Sequence, residues 1–293
     1  MQGLFLYNKP SGPSSAQFLN ELKKKLSLSR TTRVGHGGTL DPFAEGLLVV
    51  GISRNYTKLL HEQLKNESKE YGVEIILGAS SDTDDRTGNI QTTTNTFPIT
   101  KKDIENAVKQ LQKQKIQTPP QYSAIKLQGK PAYKRARAGE QMNIQPKQVQ
   151  LHTYTIQNIR EEQGLWVIQI TMLVSAGFYI RSFARDLGKI LGVGGYVNAL
   201  KRLKIGDFSL KNALNLDDLG KTMTLYVLAP DEAKNSHFLD WLKQVAQGLK
   251  TPIKLENSEV VITGTLENLQ TILEHINTHT KKYDILTQSW FGK

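Results

Sequence analysis

The order of apolar and polar residues along the chain predicts a protein that mixes helices and strands. Short unbroken apolar runs at residues 4–7 and 47–52 are typical of buried strands. Between them, two serines precede a segment whose apolar side chains recur at helical spacing up to Leu26, which predicts a capped amphipathic helix. Residues 149–159 and 165–174 alternate polar and apolar positions around a Gly-containing turn, which predicts an antiparallel hairpin.

Two further helices follow from the same kind of spacing. Thr100 is placed to cap a helix that ends before Thr118, and the Thr- and Asn-rich residues 91–99 are predicted to be a linking loop. A second helix is predicted over residues 179–191, where two arginines four residues apart form a stripe separate from the apolar face. Periodicity alone leaves the surroundings of these arginines open.

The last seventy or so residues have a pattern of their own. It predicts a strand at 224–228, a helix at 238–249, a hairpin or bent strand at 253–263, a helix at 266–276 and a strand at 283–287. This order is typical of a small split α/β sandwich of the ferredoxin-like kind.

Composition narrows the possible classes of protein. The 293 residues, 38% hydrophobic and 22% charged, are sufficient for one large globular domain and a small one. No apolar run approaches the length of a membrane span, and the apolar start is too short for a signal peptide, so we expect a cytoplasmic protein. The absence of cysteine excludes disulfides, thiolate catalysis and cysteine-bound metal. A net charge of +11 favours a polyanionic partner.

The stretch from residue 34 to 50, which reads VGHGGTLDPFAEGLLVV, is the strongest candidate for chemistry. Its three glycines in four residues allow the backbone to approach a ligand closely, and the following Asp41-Pro42 fixes one carboxylate at a stiff turn. The apolar run after it predicts that Asp41 lies on a loop beside a buried strand. Physical chemistry alone leaves two interpretations open, because an Asp at such a place also serves as a helix cap or turn residue.

Residues 121–140 interleave basic side chains with tyrosines and alanines. This composition suits RNA, since cations meet phosphates while aromatic rings stack on bases. A basic amphipathic helix packed on a sheet would show the same pattern, and we expect both descriptions to hold.

In these segments and in their order, the chain resembles the TruB-type tRNA pseudouridine synthases over residues 1–220. The signature that carries the resemblance is GHxGTLDPxAxGLL at residues 35–48. The segment 119–137 is similar to the family's PPxYSAxKxxGxxxYxxAR, and residues 177–203 contain its closing motif. Most members of the family have Thr after the signature His, where this chain has Gly37.

The resemblance implies a role for individual residues. It makes Asp41 the catalytic nucleophile, Arg181 the arginine that pairs with it, and Tyr71 the residue that stacks on the target base. His36 would fill the space that an extruded base vacates. Substrate binding is expected of Tyr179 and Leu200, which line the base pocket, and of the basic residues Lys9, Lys126 and Arg137.

The acidic loop at residues 81–88 invites a calcium interpretation, which its sequence excludes. An EF-hand loop requires Gly at position six and Glu at position twelve, and this chain has Thr87 and Thr93 there. The loop instead resembles the family's DTxxDxxG segment, in which Asp82 and Asp85 would shape the wall of the active site.

The family resemblance also implies the overall design. The expected fold class is α+β, a pseudouridine synthase fold with a mixed, mainly antiparallel central sheet. A catalytic domain would cover residues 1–220, followed by the small module at 221–293. This module shows no clear PUA pattern, and we expect it to be an accessory that grips RNA. The expected activity is isomerisation of the T-loop uridine at position 55 of tRNA after base flipping. We expect no cofactor, no metal and no obligatory protein partner, with the T arm of tRNA bound by a monomer.

Three other activities would use parts of the same sequence. A retaining glycosidase would need a second carboxylate about 5 Å from the first, and nothing in the sequence places Glu45 or Asp85 there. A non-catalytic RNA chaperone could fold tRNA with the same basic surface, and only loss of modification on replacing Asp41 separates the two functions. A guide-dependent rRNA enzyme is disfavoured because the residues of the motifs are closer to those of the stand-alone bacterial type.

Overall fold

The computed structural model describes residues 2–93, 98–123, 125–127, 129–140, 142–218, 223–228, 236–256, 259–283 and 288–292. The chain folds into two compact units. The first unit combines Met1–Lys65 with Asp207–Lys293, and the second is Asn66–Gly206. The first is thus formed by both ends of the chain, and the second by its middle.

The strands and helices follow one another as a mixed series. The strands are β1 (Gly3–Lys9), β2 (Val34–His36), β3 (Glu45–Ile52), β4 (Lys69–Leu77), β5 (Ala79–Ser81), β6 (Ile90–Thr92), β7 (Ile116–Gln117), β8 (Lys126–Leu127), β9 (Lys130–Pro131), β10 (Lys147–Gln148), β11 (Leu151–Glu162), β12 (Leu165–Val174), β13 (Gly195–Ile205), β14 (Phe208–Ser209), β15 (Met223–Leu228), β16 (Ile253–Glu256), β17 (Glu259–Gly264) and β18 (Gln288–Gly292). The helices are α1 (Ser15–Lys25), α2 (Arg54–Leu64), α3 (Lys101–Lys113), α4 (Ala132–Arg137), α5 (Ile180–Leu191), α6 (Ser236–Gly248) and α7 (Leu266–Tyr283).

The first unit is built on β1, which lies between β3 and β18. It pairs antiparallel with β3 from Gly3 to Lys9 and parallel with β18, while β2 pairs antiparallel with β3. The predicted helix cap is confirmed, because the Ser14 hydroxyl accepts a hydrogen bond from the N–H of Gln17 in a complete capping box. Helix α1 then buries Phe18 and Leu22 against the sheet.

The C-terminal part of the first unit has the order β18-β15-β17-β16, and every neighbouring pair in it is antiparallel. With α6 after β15 and α7 after β17, this is the ferredoxin-like split βαβ arrangement that the pattern predicts. Its apolar residues, among them Ile262 and Leu269, share one core with Phe5 of β1. Removing the module would therefore expose the core of residues 1–65 to water, so a deletion would test folding as much as RNA binding.

The second unit is a four-stranded antiparallel sheet in the order β11-β12-β4-β13. The predicted hairpin of β11 and β12 is confirmed, and Gln163 and Gly164 turn it with positive φ angles of 52° and 78°. Helices α3 and α5 pack on each other beside this sheet. The Thr100 cap of α3 is also confirmed, with Asp103 as its partner.

Two local predictions are wrong. Residues 90–92, most of them assigned to a loop, form β6 and pair with β5, because a tertiary partner overrides the weak local preference of a Thr-rich segment. The predicted strand at 283–287 is wrong at Tyr283, which ends α7, while residues 284–287 lie outside the described part of the chain; β18 is at 288–292. The predicted domain boundary near residue 220 stays a prediction.

Candidate active site

Asp41 lies in the first unit, on the loop that joins β2 to β3. Its side chain is half-buried, while Leu40 before it and Phe43 and Ala44 after it are buried. Apolar anchors on both sides fix the course of a loop because moving it would expose them to water. The loop therefore presents one carboxylate from a rigid base, as the turn chemistry predicts.

Hydrogen bonds from the start of α1 brace this loop. The Ser15 hydroxyl donates to the carbonyl of Leu40 and accepts from its N–H, both at 2.9 Å. The N–H of Gly12 donates to the carbonyl of Pro42 at 2.7 Å. These neighbours of Asp41 are thus held through their backbone, independently of any charge on the Asp41 side chain.

Lys9 lies at the end of β1 and is fully buried. Its Nζ donates to the carbonyls of Pro10 and Pro13 at 2.8 and 2.7 Å. A buried ammonium must have such partners, so these contacts stabilise the turn that leads into α1. The role of Lys9 in substrate binding stays a prediction.

His36 is the last residue of β2, opposite Val50, and is half-buried. Next to it, Gly37 faces α2 at close range: a Cβ added there would lie 2.2 Å from Cδ1 of Leu64 and 3.3 Å from Cδ2 of Leu60. Both leucines are buried. The departure from the family's Thr therefore has a structural counterpart, because leucine side chains occupy the volume that a larger residue 37 would need.

Arg181 lies in the first turn of α5 in the second unit, and it is buried, with only 4% of its surface exposed. Its Nη1 donates to the carbonyl of Thr83 at 3.1 Å and its Nη2 to the carbonyl of Tyr122 at 2.9 Å. Nη1 also lies 3.6 Å from Oδ2 of Asp85. The guanidinium is thus fixed in a dry site, which suits a group that must orient an anion.

Asp85 is the acidic-loop residue that contacts Arg181, and its carboxylate is as buried as the guanidinium. Its Oδ1 accepts hydrogen bonds from the Thr83 hydroxyl and from the N–H of Thr87, both at 2.9 Å. These bonds orient the carboxylate. That Asp85 and Asp82 shape the wall of the active site stays a prediction; Asp82 is exposed and accepts a hydrogen bond from the N–H of Asn89.

A second carboxylate and arginine lie beside that pair. Asp84, in a left-handed conformation with φ 61°, contacts Nη1 of Arg185 through Oδ2 at 3.1 Å. Burial raises the pKa of the Asp84 carboxyl to about 6, although the Arg185 and Arg181 guanidiniums act to lower it. The sequence does not single out Asp84 as a site neighbour, because nothing local distinguishes it from other acidic turn residues.

Tyr71 and Leu200 lie on adjacent strands of the same sheet. Tyr71, on β4, is opposite Met172 on one side and Arg202 on the other. Leu200, on β13, is opposite Val73 of β4. Tyr71 and Leu200 are both buried, and their roles in binding the base stay predictions.

Tyr179 is the N-cap residue of α5 and is half-buried. The side-chain amide of Gln117 donates to its carbonyl at 3.0 Å and accepts from its N–H at 2.8 Å. Gln117 thereby fixes the entry to the helix that carries Arg181. No sequence signal points to Gln117, since the two residues are 62 positions apart.

Two predicted substrate-binding residues fall on short elements, Lys126 on β8 and Arg137 on α4. Their side chains lie outside the described part of the structure. In the described residues, no group of three or more His, Cys, Asp or Glu side chains could hold a metal ion.

Two family models together match residues 23–251 of the chain. The model described as TruB family pseudouridylate synthase, N-terminal domain, matches residues 23–180. The model described as tRNA pseudouridylate synthase B C-terminal domain matches residues 181–251. The chain belongs to the TruB family of pseudouridylate synthases.

Curated relatives extend this TruB assignment to most of the chain. A protein of Corynebacterium efficiens named tRNA pseudouridine synthase B is 40% identical over 79% of this chain and 76% of its own length. A protein of the same name in Streptomyces coelicolor is 34% identical over 96% of this chain and 94% of its own length.

Solved structures agree with the TruB fold. A chain in the crystal structure of a Cbf5–Nop10–Gar1 complex is 26% identical with a TM-score of 0.56, and the match covers 74% of this chain. This chain spans about half, 53%, of that solved chain. The predicted α+β pseudouridine synthase fold is confirmed by this match and by the family model, and the predicted isomerase class is confirmed by the relatives named tRNA pseudouridine synthase B. Across the described residues, no helix combines the length and the apolarity that crossing a membrane requires.

Proposed function

We propose that the chain is a tRNA pseudouridine synthase that isomerises the T-loop uridine at position 55. The observation that carries this proposal is the likeness to proteins named tRNA pseudouridine synthase B, which extends over 96% of the chain in one relative. The net charge of +11 supports it, because a folded polyanion is the substrate. Such an enzyme would act in the cytoplasm as a monomer without an obligatory protein partner.

The reaction rearranges one nucleotide and needs no second substrate. The bond from C1′ to N1 breaks, the base turns, and a bond from C1′ to C5 forms; C5 loses a proton and N1 gains one. Atoms and electrons balance without an oxidant, which is why no redox cofactor is required. The enzyme must supply a nucleophile or base and a closed pocket that retains the detached base.

Asp41 is the group that we assign to the first step. A carboxylate at this place has three options: attack on the sugar, attack on C6 of the base, or removal of a proton from the sugar. Each uses the ionised form, presented by a loop that is held through its backbone. Arg181 would keep Asp41 charged and oriented, and its own fixation by two carbonyls and Asp85 supports such a role.

Recognition of the base falls to residues of the second unit in this proposal. Tyr71 would stack on the uracil and assist proton removal from C5, while Tyr179 and Leu200 would line the pocket. A uridine inside a folded T loop must first leave its stack at a cost of a few kcal/mol, and His36 would fill the vacated space. Lys9, Lys126 and Arg137 would contact the T arm.

The test is chemical mapping of pseudouridine on an unmodified tRNA transcript, incubated with a chelator and no added cofactor. Wild type should modify the T-loop uridine, and Asp41→Ala should lower the rate by about 10³-fold or more. Asp240→Ala, which removes a carboxylate whose side chain is 62% exposed on α6, is the matched control and should keep full activity. Tight tRNA binding and refolding without modification by wild type would favour the chaperone instead.

A further inference from the structure

Ser123 carries a buried hydroxyl that no part of the described structure satisfies. The residue is 3% exposed, and its Oγ has no hydrogen-bond partner. Folded proteins pair nearly all buried polar atoms, because a hydroxyl removed from water without a new partner is unfavourable. An exception of this kind is explained when the missing partner belongs to a ligand or to an ordered water.

The position of Ser123 favours a ligand. The preceding residue, Tyr122, gives its carbonyl to Nη2 of Arg181 at 2.9 Å. On the other side, the Gln121 side chain donates to the carbonyl of Met142 at 2.8 Å and accepts from its N–H at 3.3 Å. The Gln121 side chain and the Tyr122 carbonyl therefore anchor the two residues before Ser123, which follows directly on the carbonyl that binds Arg181.

The burial of Ser123 matches that of the residues assigned to the reaction. Arg181 and Tyr71, which belong to the same unit, are 4% and 9% exposed, so all three side chains are buried in the second unit. Uracil has two carbonyl oxygens and one N–H, and each loses its water when the base enters such an interior. A serine hydroxyl can donate to either carbonyl.

We propose that the Ser123 hydroxyl donates a hydrogen bond to a carbonyl oxygen of the bound uracil. This inference rests on the proposed function and adds a specificity residue to it. No described residue of the chain bonds to this hydroxyl, so a hydrogen bond to the uracil would add to the affinity for a base that carries the oxygen over one that lacks it.

The experiment compares Ser123→Ala with wild type on transcripts that carry uridine, 2-thiouridine or 4-thiouridine at position 55. On uridine, the substitution should lower kcat/KM by about tenfold or more without lowering the melting temperature. On the analogue whose sulfur replaces the partner oxygen, wild type should lose activity, because sulfur accepts hydrogen bonds weakly. The ratio of the kcat/KM of wild type to that of Ser123→Ala should then fall towards one.

Tyr7→Phe is the matched control. Its hydroxyl is also buried without a partner, at 0% exposure in the core of the first unit, and its removal should leave the kinetics unchanged. If Ser123→Ala behaves like Tyr7→Phe on uridine, or if its loss is the same on all three substrates, the proposal is overturned. Failure of wild type to form any pseudouridine would instead overturn the proposed function.

Discussion

The Asp41 loop of the first unit and the surroundings of Arg181 in the second unit are held by different forces. Around Asp41, the loop is braced by neutral hydrogen bonds between backbone groups and a serine hydroxyl. Around Arg181, a buried guanidinium and the buried carboxylate of Asp85 depend on each other. Neutral bracing tolerates the loss of one charged side chain, whereas a buried ion pair does not, because the partner is left charged in a dry environment. Replacing Asp41 should therefore lower activity without lowering stability, whereas replacing Arg181 should lower both.

The largest expected effect comes from breaking the buried pair. Arg181→Met should lower the free energy of unfolding by about 3–5 kcal/mol, since it leaves the Asp85 carboxylate without its cation, and should abolish pseudouridine formation. Urea denaturation and pseudouridine mapping measure the two losses.

Arg185→Met is the control for this prediction. Arg185 lies one turn further along α5 and also contacts carboxylates, but its side chain is 32% exposed, so water can compensate its loss. Equal destabilisation by the two variants would contradict the contrast between neutral bracing and buried charge.

The next effect tests how α2 packs against Gly37, in the segment that leads to Asp41. Gly37→Thr should lower the free energy of unfolding by about 1–3 kcal/mol, because its Cβ would lie 2.2 Å from Cδ1 of Leu64. Leu64→Ala alone should cost about 2–5 kcal/mol through the cavity it leaves. The free energy of unfolding of the double variant, Gly37→Thr with Leu64→Ala, should fall by less than the sum of the two single losses, since the threonine then fills that cavity.

A double-mutant cycle by urea denaturation measures this coupling, with pseudouridine formation as a second measurement. Strictly additive losses would show that Leu64 does not limit the size of residue 37.

The smallest effect concerns Asp84, whose burial raises the pKa of its carboxyl from 3.8 to about 6. The folded protein then holds a proton that the unfolded chain has released, so the stability contributed by this group is present below pH 4 and is lost as pH rises through 6. Between pH 5 and pH 7, the free energy of unfolding of wild type should fall by about 1 kcal/mol relative to that of Asp84→Asn. Urea midpoints at the two pH values measure this, and parallel pH profiles of the two proteins would contradict the raised pKa.

The C-terminal module also differs from the rest of the chain in its net charge. Residues 221–293 contain eight lysines and eight acidic residues and no arginine, so the net charge of +11 resides in residues 1–220. A module without net charge has weak long-range attraction for RNA. Its prediction as an RNA-gripping accessory has no electrostatic support, while its shared core with β1 gives it a structural role.

Much of the fold was predictable because its signals are local. The caps at Ser14 and Thr100, the hairpin of β11 and β12 and the Asp41 loop each depend on residues within a few positions of one another. The surroundings of Arg181 were not predictable, since its partners Thr83 and Tyr122 are 98 and 59 positions away. A helical stripe of arginines looks the same in sequence whether water or protein surrounds it.

The order of the elements, the loop that carries Asp41, the concentration of positive charge and the membership of the family can all be read from the amino-acid sequence. Three features appear only in the folded protein: Arg181 is buried against Asp85, Leu64 occupies the space beside Gly37, and the C-terminal module completes the core of residues 1–65. The physical reason is range. Periodicity, capping and turn chemistry act over a few residues, whereas the burial of a charge or a glycine depends on distant segments that the chain brings together only when it folds.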